Sequence, residues 1–362
     1  MNASFPMDDP NYASSGQGIP SVNGVLLRGS RDLVAAVPYM LGFHPGPGTL
    51  IAVAMCEGRI SLTTYVEAAR LDLHDIPGLW IELARPLTQA CAQHLVLIGY
   101  LAEADEDRLQ VFVATSPLPV FEVLRVEDGR WWSLSCPNGP TCCPPGQRVV
   151  ADPAVVAPLV AAADAPAASR AGLGACLRPG PAEQVSAVAR LLPLTPAPPP
   201  VALYQAVADA HAECVDGPVR LTADRAAVLL QAVTIVNVRD AACVWHDDAA
   251  WWLWTTLIRY APPTHVPPVA ALIATTAYQR GITVLAQMAA EHALAIDPGY
   301  GLGHLVLDIV EAQIHPATVR RGFARAMAEI PDLPADWVFG PAPASGPRHD
   351  TASDVPGGDG DG

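Results

Sequence analysis

The sequence predicts an N-terminal α/β half, a mixed sheet with helices, followed by an all-α half. Apolar strand-type runs alternate with helical stretches up to about residue 150, which is typical of a sheet covered by helices. After residue 200 the apolar residues recur with helical periodicity only. The proline-rich run LLPLTPAPPP (191–200) lies between the two halves and predicts a stiff, extended linker.

The chain has 362 residues, a length that suggests two domains with tails. Residues 1–24 and 339–362 are rich in small and polar residues and are predicted to be a disordered leader and tail. Residues 25–150 are predicted to form the α/β domain, which ends in a loop of cysteines and prolines. Short helices and the linker occupy 151–200, and the helical domain occupies 201–338.

Turn residues and apolar patterns predict the individual elements. Ser30 is expected to cap a first helix, which Pro38 should interrupt early. Ser169 is expected to cap a short helix before the linker. Strands are predicted at 49–55, 59–67, 94–100, 121–127 and 130–135, and helices at 76–92, 153–163, 169–177, 202–214, 222–236, 247–260, 269–280, 283–296 and 302–313.

The charged residues exclude several functions. All 21 basic residues are arginine, whereas Schiff-base chemistry, pyridoxal-phosphate catalysis and Walker-type nucleotide sites require a lysine. The formal net charge of −15 repels a phosphate backbone, so we expect no nucleic-acid partner. We also expect no signal peptide and no membrane span, which predicts a cytoplasmic protein whose eight cysteines are thiols or metal ligands.

A proline-stiffened loop carries three cysteines, Cys136, Cys142 and Cys143. One interpretation is a zinc site, although two adjacent cysteines fit one tetrahedral ion poorly and a fourth ligand would have to come from elsewhere. A second is a redox switch in which two of the thiols form a reversible bond. The third is a structural loop with buried thiols, which we favour.

Two further regions are candidate ligand sites. Arg130, Trp131 and Trp132 follow a tight turn, where an arginine beside an exposed tryptophan can hold a ligand by stacking; the alternative is hairpin packing. His44 lies in a rigid loop before a strand, with Arg31 and Asp32 upstream, and these three side chains would form a polar cluster if they met. The alternative for His44 is a loop histidine bonded to backbone.

Two other motifs carry less weight. His211-Ala-Glu213-Cys214 is similar to half of a zinc deaminase motif, but the required Pro-Cys-x-x-Cys does not follow, so we reject that interpretation. Arg239 and Asp240 are neighbours within or between helices. Because adjacent residues do not share a helix face, each is expected to have its own partner.

Several runs together are characteristic of one family. They are SRDL from Ser30, VPYMLGFHP from Val37, DGRWWSLSC from Asp128, CCPP from Cys142, Ser169-Arg170 and Val238-Arg239-Asp240. In this order they resemble the actinobacterial family called domain of unknown function 4192, over nearly the whole ordered chain. The resemblance implies an actinobacterial cytosolic protein and brings no catalytic residue. One departure is the stretch between Tyr100 and Phe121, which is short for the covering helix expected there.

A second resemblance is local. Residues 270–298 resemble a tetratricopeptide repeat, with Gly281, Ala286, Ala293 and Pro298 at its turn, packing and closing positions. No second copy follows, so we expect a single helical hairpin inside a bundle.

These observations favour a protein-interaction or regulatory module that binds a protein partner without catalysis. The first alternative is a metal- or thiol-dependent enzyme or redox sensor that uses the 136–143 loop, with zinc as the candidate cofactor. The second is a small-molecule hydrolase or ligand-binding protein that uses the 30–45 region.

Overall fold

A computed structural model describes residues 21–22, 25–68, 72–136, 146–150, 152–162, 165–193 and 200–330. The first half contains a mixed sheet with helices on both faces. Its elements are β1 (Ser21–Val22), β2 (Val25–Leu26), α1 (Ser30–Leu41), β3 (Thr49–Cys56), β4 (Arg59–Glu67), α2 (Ile76–Gln89), β5 (His94–Tyr100), α3 (Glu106–Thr115), β6 (Val120–Glu127), β7 (Arg130–Ser133), β8 (Gln147–Arg148) and α4 (Pro153–Ala162).

The main sheet has the strand order β4-β3-β5-β6-β7-β8. Only β5 and β6 pair in parallel among its described strands, and α3 is the crossover helix between them. The remaining neighbours pair antiparallel. The mixed sheet predicted from the sequence is therefore confirmed.

Helices cover both faces of this sheet, because its central strands are apolar on both sides. In β3, Ile51 and Val53 pack with α1 and α4, whereas Leu50 and Ala52 pack with α2 and α3 on the opposite face. The helix α3 occupies the stretch between Tyr100 and Phe121. The interpretation that this stretch is too short for a covering helix was therefore wrong.

The start of α1 differs from the prediction. Ser30 does not cap the helix; its hydroxyl donates to Glu122 on β6, at 2.7 Å. The carboxylate of Asp32 accepts the backbone N–H of Arg28 instead, at 2.9 Å. Pro38 lies inside the helix, which continues to Leu41, so the predicted early interruption was also wrong.

The second half is helical. Its elements are α5 (Arg170–Leu173), α6 (Ala182–Leu191), α7 (Pro200–Glu213), α8 (Ala223–Thr234), α9 (Val236–Ala242), α10 (Asp248–Leu257), α11 (Val266–Gln279), α12 (Thr283–Ile296), α13 (Gly301–Glu311) and α14 (Pro316–Met327), with short 3-10 turns at Gly174–Leu177, Ile258–Tyr260 and Pro263–His265.

The helix α11 is the centre of this half. All fourteen of its residues are buried, so neighbouring helices must surround it on every side. It packs most extensively against α12, as expected for a helical hairpin. Its polar residues hydrogen-bond to backbone: Thr276 donates to Trp245 at 3.4 Å, and Gln279 donates to Cys243 at 2.8 Å. These bonds fasten α11 to the segment between α9 and α10.

The prediction of a sheet-containing half followed by a helical half is thus confirmed at the level of secondary structure. The division into separate domains stays a prediction. Leu173 packs against the core of the helical half and also against the core under α1, so the two halves share this contact.

A glycine substitution tests the packing before α6. The Gly180 N–H donates to Arg259 O at 2.9 Å, and a Cβ at Gly180 would lie 2.5 Å from that same oxygen. We expect Gly180→Ala to lower the free energy of unfolding by roughly 1–3 kcal/mol, because backbone must move to relieve the clash. Urea denaturation measures this change.

The matched control is Gly78→Ala. Gly78 is an exposed position in α2, and nothing lies within 4 Å of its added Cβ. Alanine there should stabilise the chain by roughly 0.5–1 kcal/mol. Equal effects of the two substitutions would contradict the close approach at Gly180.

Candidate functional site

A cleft of about 1280 Å³ lies between the sheet and the helical half. It is more than twice as large as a second cavity, of about 530 Å³, beside His44. The first wall consists of β4, the middle of α2 and the end of α1. The second wall consists of α12, the turn before it and the end of α13, and α5 contributes to the lining as well.

The strand β4 is an edge of the sheet. Within the described part of the chain, β4 pairs with β3 along one side and with no strand along the other. Consecutive residues Ile60 to Glu67 line the cleft, so the cleft follows the strand lengthwise. Alternate residues of an edge strand direct their backbone N–H and C=O groups outward, where they can pair with another extended chain.

A short backbone bridge holds α5 at the cleft. The Ala167 N–H donates to Gly42 O at 2.9 Å, and the His44 N–H donates to Ala167 O at 2.9 Å. Two residues later, the Ser169 hydroxyl accepts the Gly172 N–H at 3.0 Å, which confirms the predicted cap of this helix. The bridge and the cap fix the position of Arg170, the first residue of α5.

Arg170 lies against Tyr65 of β4. Its guanidinium carbon is 5.7 Å from the centroid of the Tyr65 ring, and Phe43 supports that ring edge-on with centroids 5.5 Å apart. The Arg170 Nε atom is buried and has no hydrogen-bond partner in the described residues. Leaving a buried donor unsatisfied costs about 1–3 kcal/mol, so this arrangement needs an explanation.

Tyr65 stays protonated at neutral pH. Burial raises the pKa of its hydroxyl, and the carboxylates of Glu67 and Glu291 raise it further, while Arg170 opposes them. The ring is therefore a neutral face for the guanidinium, and the hydroxyl oxygen accepts from Arg170.

Other largely buried arginines form ion pairs with carboxylates. Arg125 faces Glu106 at 3.2 Å, Arg239 faces Asp240 at 2.6 Å, and Arg280 faces Asp248 at 2.6 Å. Arg170 has no such ion pair with the described residues. It is thus a half-buried cation with donor capacity to spare at the cleft.

A second cation lines the same cleft. Arg280, at the turn between α11 and α12, lies with its guanidinium carbon 5.8 Å from the Trp251 ring centroid. The pair Arg85–Glu311 joins α2 to α13 at 3.2 Å, but both side chains are more than 60% exposed. An exposed pair of this kind contributes at most about 1 kcal/mol.

The structure does not bring the predicted cluster around His44 together. Asp32 is buried at the start of α1, and Arg31 beside it donates to Val150 O at 3.2 Å. His44 follows the other end of this twelve-residue helix, roughly 18 Å away along the axis. His44 is exposed and lines the smaller cavity together with Glu127 and Asp128.

The predicted Arg130 and Trp pair is packed within the sheet. Trp131 is buried, with no described partner for its indole N–H. Trp132 carries the Arg125 guanidinium over its ring, 4.1 Å from the centroid, and Arg125 is opposite it on β6. Arg130 donates to Gly146 O at 2.8 Å. These contacts favour hairpin packing over a ligand site.

The cysteine loop is only partly described. Cys136 is half-buried, whereas Cys142 and Cys143 lie outside the described residues. Neither the zinc nor the redox interpretation is therefore tested. Among the described side chains, Asp72, His74 and Asp75 are close enough together to share an ion, and all three are exposed.

Four of the described cysteines have raised thiol pKa values and are therefore not activated. Burial raises the pKa of Cys176 to about 11 and that of Cys243 to about 12, and it also raises the pKa of Cys56 and Cys214. A nucleophilic thiol needs a lowered pKa to be a thiolate at neutral pH. These four positions therefore do not support thiol catalysis.

His211 has a structural partner. Its buried ring donates from Nε2 to the Asp247 carboxylate at 2.9 Å and stacks on Trp245, with centroids 4.2 Å apart. Asp247 also accepts the Ala250 N–H and so caps α10. This histidine joins α7 to α10, in agreement with the rejection of a deaminase site.

Arg239 and Asp240 pair with each other. Two guanidinium nitrogens of Arg239 donate to Asp240 Oδ1, at 2.8 and 2.6 Å, and a third donates to the Tyr300 hydroxyl at 2.8 Å. The expectation of separate partners was wrong, because the long arginine side chain folds back along the short helix α9.

Sequence reasoning missed the residues that line the cleft. Tyr65, Arg280 and Trp251 carry no motif of their own, and they meet only through the packing of the two halves. Arg170 had one signal, since Ser169-Arg170 was among the runs that resemble a family. Nothing in the spacing of these residues places them in one cleft.

The chain therefore combines a mixed sheet covered by helices with a helical half, and the cleft lies between them along the edge strand β4. The chain belongs to the family described as Domain of unknown function (DUF4192), whose model matches residues 31–317. No curated protein and no solved structure matches it. In the part of the chain that the structure describes, every helix is too short or too polar to cross a bilayer.

The Asp247–His211 pair predicts a dependence of stability on pH. Burial alone would raise the pKa of Asp247, but the hydrogen bonds from His211 and from the Ala250 N–H outweigh it and lower that pKa. The resulting stabilisation is present above the unfolded-state pKa, about 3.9, and is lost as the pH falls through the folded-state pKa. Because Asp247 is about half exposed, we expect at most about 1 kcal/mol.

Asp247→Asn should therefore lower the free energy of unfolding at pH 7. The difference in this free energy between the variant and wild type should be smaller near pH 2. Urea denaturation between these pH values measures both. Asp224→Asn is the control, since Asp224 is an exposed residue in the first turn of α8. A constant difference between wild type and Asp247→Asn at every pH would contradict the assignment.

Proposed function

We propose that this chain is a binding protein whose cleft receives an extended segment of a partner protein along β4. One observation carries the proposal: β4, which pairs with no described strand along one side, lines a cleft of about 1280 Å³ over eight consecutive residues, 60–67. The proposal keeps the protein-interaction role expected from the sequence and assigns it to a surface.

An extended segment is the ligand that suits this surface. Edge strands present unpaired N–H and C=O groups that a second chain can complete, and strand addition is a recurring mode of peptide recognition. A strand rises about 3.3 Å per residue, so the nine-residue β4 offers roughly 30 Å of backbone to pair with. A ligand of ordinary small-molecule size would occupy only part of that length.

The opposite wall supplies side-chain contacts. Ile282 and Val284 provide apolar surface from the turn and first residues of α12. Arg170 and Arg280 are the cations of the lining, which also contains Glu67, Glu82, Glu291 and Glu311. Backbone pairing would provide affinity, and these side chains would select the sequence of the segment.

The chemistry of the described residues favours binding over catalysis. The thiol pKa values of Cys56, Cys176, Cys214 and Cys243 are raised. His211 is hydrogen-bonded to Asp247, and Tyr65 is protonated. No described residue of the cleft combines a nucleophile with a base in hydrogen-bonding reach.

A peptide selection tests the proposal. A random dodecapeptide phage library is selected on the full chain, and the enriched peptides are measured by fluorescence anisotropy. We then substitute two neighbouring β4 residues separately, Thr63→Pro and Thr64→Pro. Their N–H groups point to opposite sides of the strand, so only one of them faces the cleft. Proline is tolerated where the N–H faces away from the sheet.

Of the two variants, the one whose melting temperature stays near that of wild type has lost the N–H that faces the cleft. That variant should bind the peptide about tenfold or more weakly. Arg31→Gln is the control. Arg31 lies at the start of α1, outside the cleft lining, so this variant should bind as wild type does. Peptides that bind the stable proline variant with unchanged affinity would refute strand addition at β4, as would failure of the library to yield any peptide.

A further inference from the structure

We propose that Arg170 is a carboxylate-binding residue of the cleft. This inference rests on the proposed function, because it specifies the chemistry of the segment that enters beside β4. The carboxylate is a C-terminus or an aspartate or glutamate side chain of that segment.

The position of Arg170 is fixed before any ligand arrives. The backbone bridge between Gly42 and Ala167 and the Ser169 cap set the start of α5. The ring of Tyr65 then lies under the guanidinium, 5.7 Å from its carbon, and Phe43 holds that ring from the side at 5.5 Å. A cation held over a ring in this way is preorganised for binding, since little side-chain freedom is lost when an anion arrives.

The same guanidinium hydrogen-bonds to the Tyr65 hydroxyl but keeps a further donor, Nε–H, without an acceptor. It forms no ion pair with the described residues, and its Nε–H has no hydrogen-bond partner among them. The contrast with Arg280 is direct, because Arg280 lines the same cleft and already holds Asp248 at 2.6 Å. An oxygen from the ligand would supply the acceptor that this chain does not provide.

The surrounding charges favour a carboxylate over a phosphate. Glu67 and Glu291 lie close enough to Tyr65 to act on its hydroxyl, and the chain as a whole carries −15. Four glutamates line the cleft against two arginines, so the net charge of the lining is negative, and a phosphate dianion meets about twice the net repulsion of a monoanion in the same position. A planar carboxylate also matches the donor fork of a guanidinium.

Nuclear magnetic resonance of the full chain labelled with ¹⁵N-arginine tests this assignment, with sodium acetate as the probe. The Nε–Hε signal of Arg170 is identified by its loss in Arg170→Lys. Acetate should shift this signal saturably, whereas chloride at equal ionic strength should not. The signal of Arg178, an exposed residue outside the cleft lining, is the control and should respond to both salts alike.

Two substitutions sharpen the test. Arg170→Gln should weaken acetate binding by about tenfold or more, measured by the acetate-dependent rise in melting temperature. Arg178→Gln makes the same change at an exposed arginine outside the cleft lining and should change acetate affinity by less than about twofold. A response of Arg170 to chloride equal to that to acetate, or a stronger response to phosphate, would overturn the proposal.

The outcomes also separate this inference from strand addition. Selected peptides are compared with versions in which the C-terminus is amidated or each acidic side chain is replaced by its amide. If acetate binds at Arg170 while the stable β4 proline variant still binds peptides normally, strand addition alone fails. If the proline variant loses binding but the amide peptides bind as well as the acids and acetate has no effect, the Arg170 assignment alone fails.

Discussion

The cleft depends on one short backbone bridge between the two halves. Gly42 O accepts the Ala167 N–H and the His44 N–H donates to Ala167 O, and this pairing fixes the chain that leads into α5. On one side, Phe43 is buried in the core beneath α1 and supports Tyr65 of β4. On the other side, Leu173 packs into the helical core. The bridge therefore sets where Arg170 enters the cleft.

Both walls rest on well-packed cores. Behind β4, the strand β3 is covered by helices on both faces, so the sheet edge cannot bend far without disturbing two apolar clusters. Behind α12, the fully buried helix α11 is bonded to the segment between α9 and α10 through Thr276 and Gln279. A cleft with such walls is largely formed before a ligand arrives, which lowers the entropic cost of binding.

Local patterns were sufficient to predict most elements but not the site. Alternation and turn residues located β4 and β5 because these signals lie within a few residues of each other. Ser30 shows the limit: it has the right residue type for a cap, yet its hydroxyl bonds Glu122, ninety-two positions away. The pairing of Arg170 with Tyr65 has the same long-range origin, since it depends on how the halves pack. A single sequence carries no local signal for contacts of this kind.

The central claim is that β4 binds an extended chain along the side where it pairs with no described strand, and amide hydrogen exchange tests it most directly. With a selected peptide bound to the full chain, alternate amides of β4 should exchange at least about tenfold more slowly than in the free protein. The amides of β8, at the other edge of the sheet, serve as an internal reference and should not change. Protection that omits β4, or that appears equally at β8, would contradict the account.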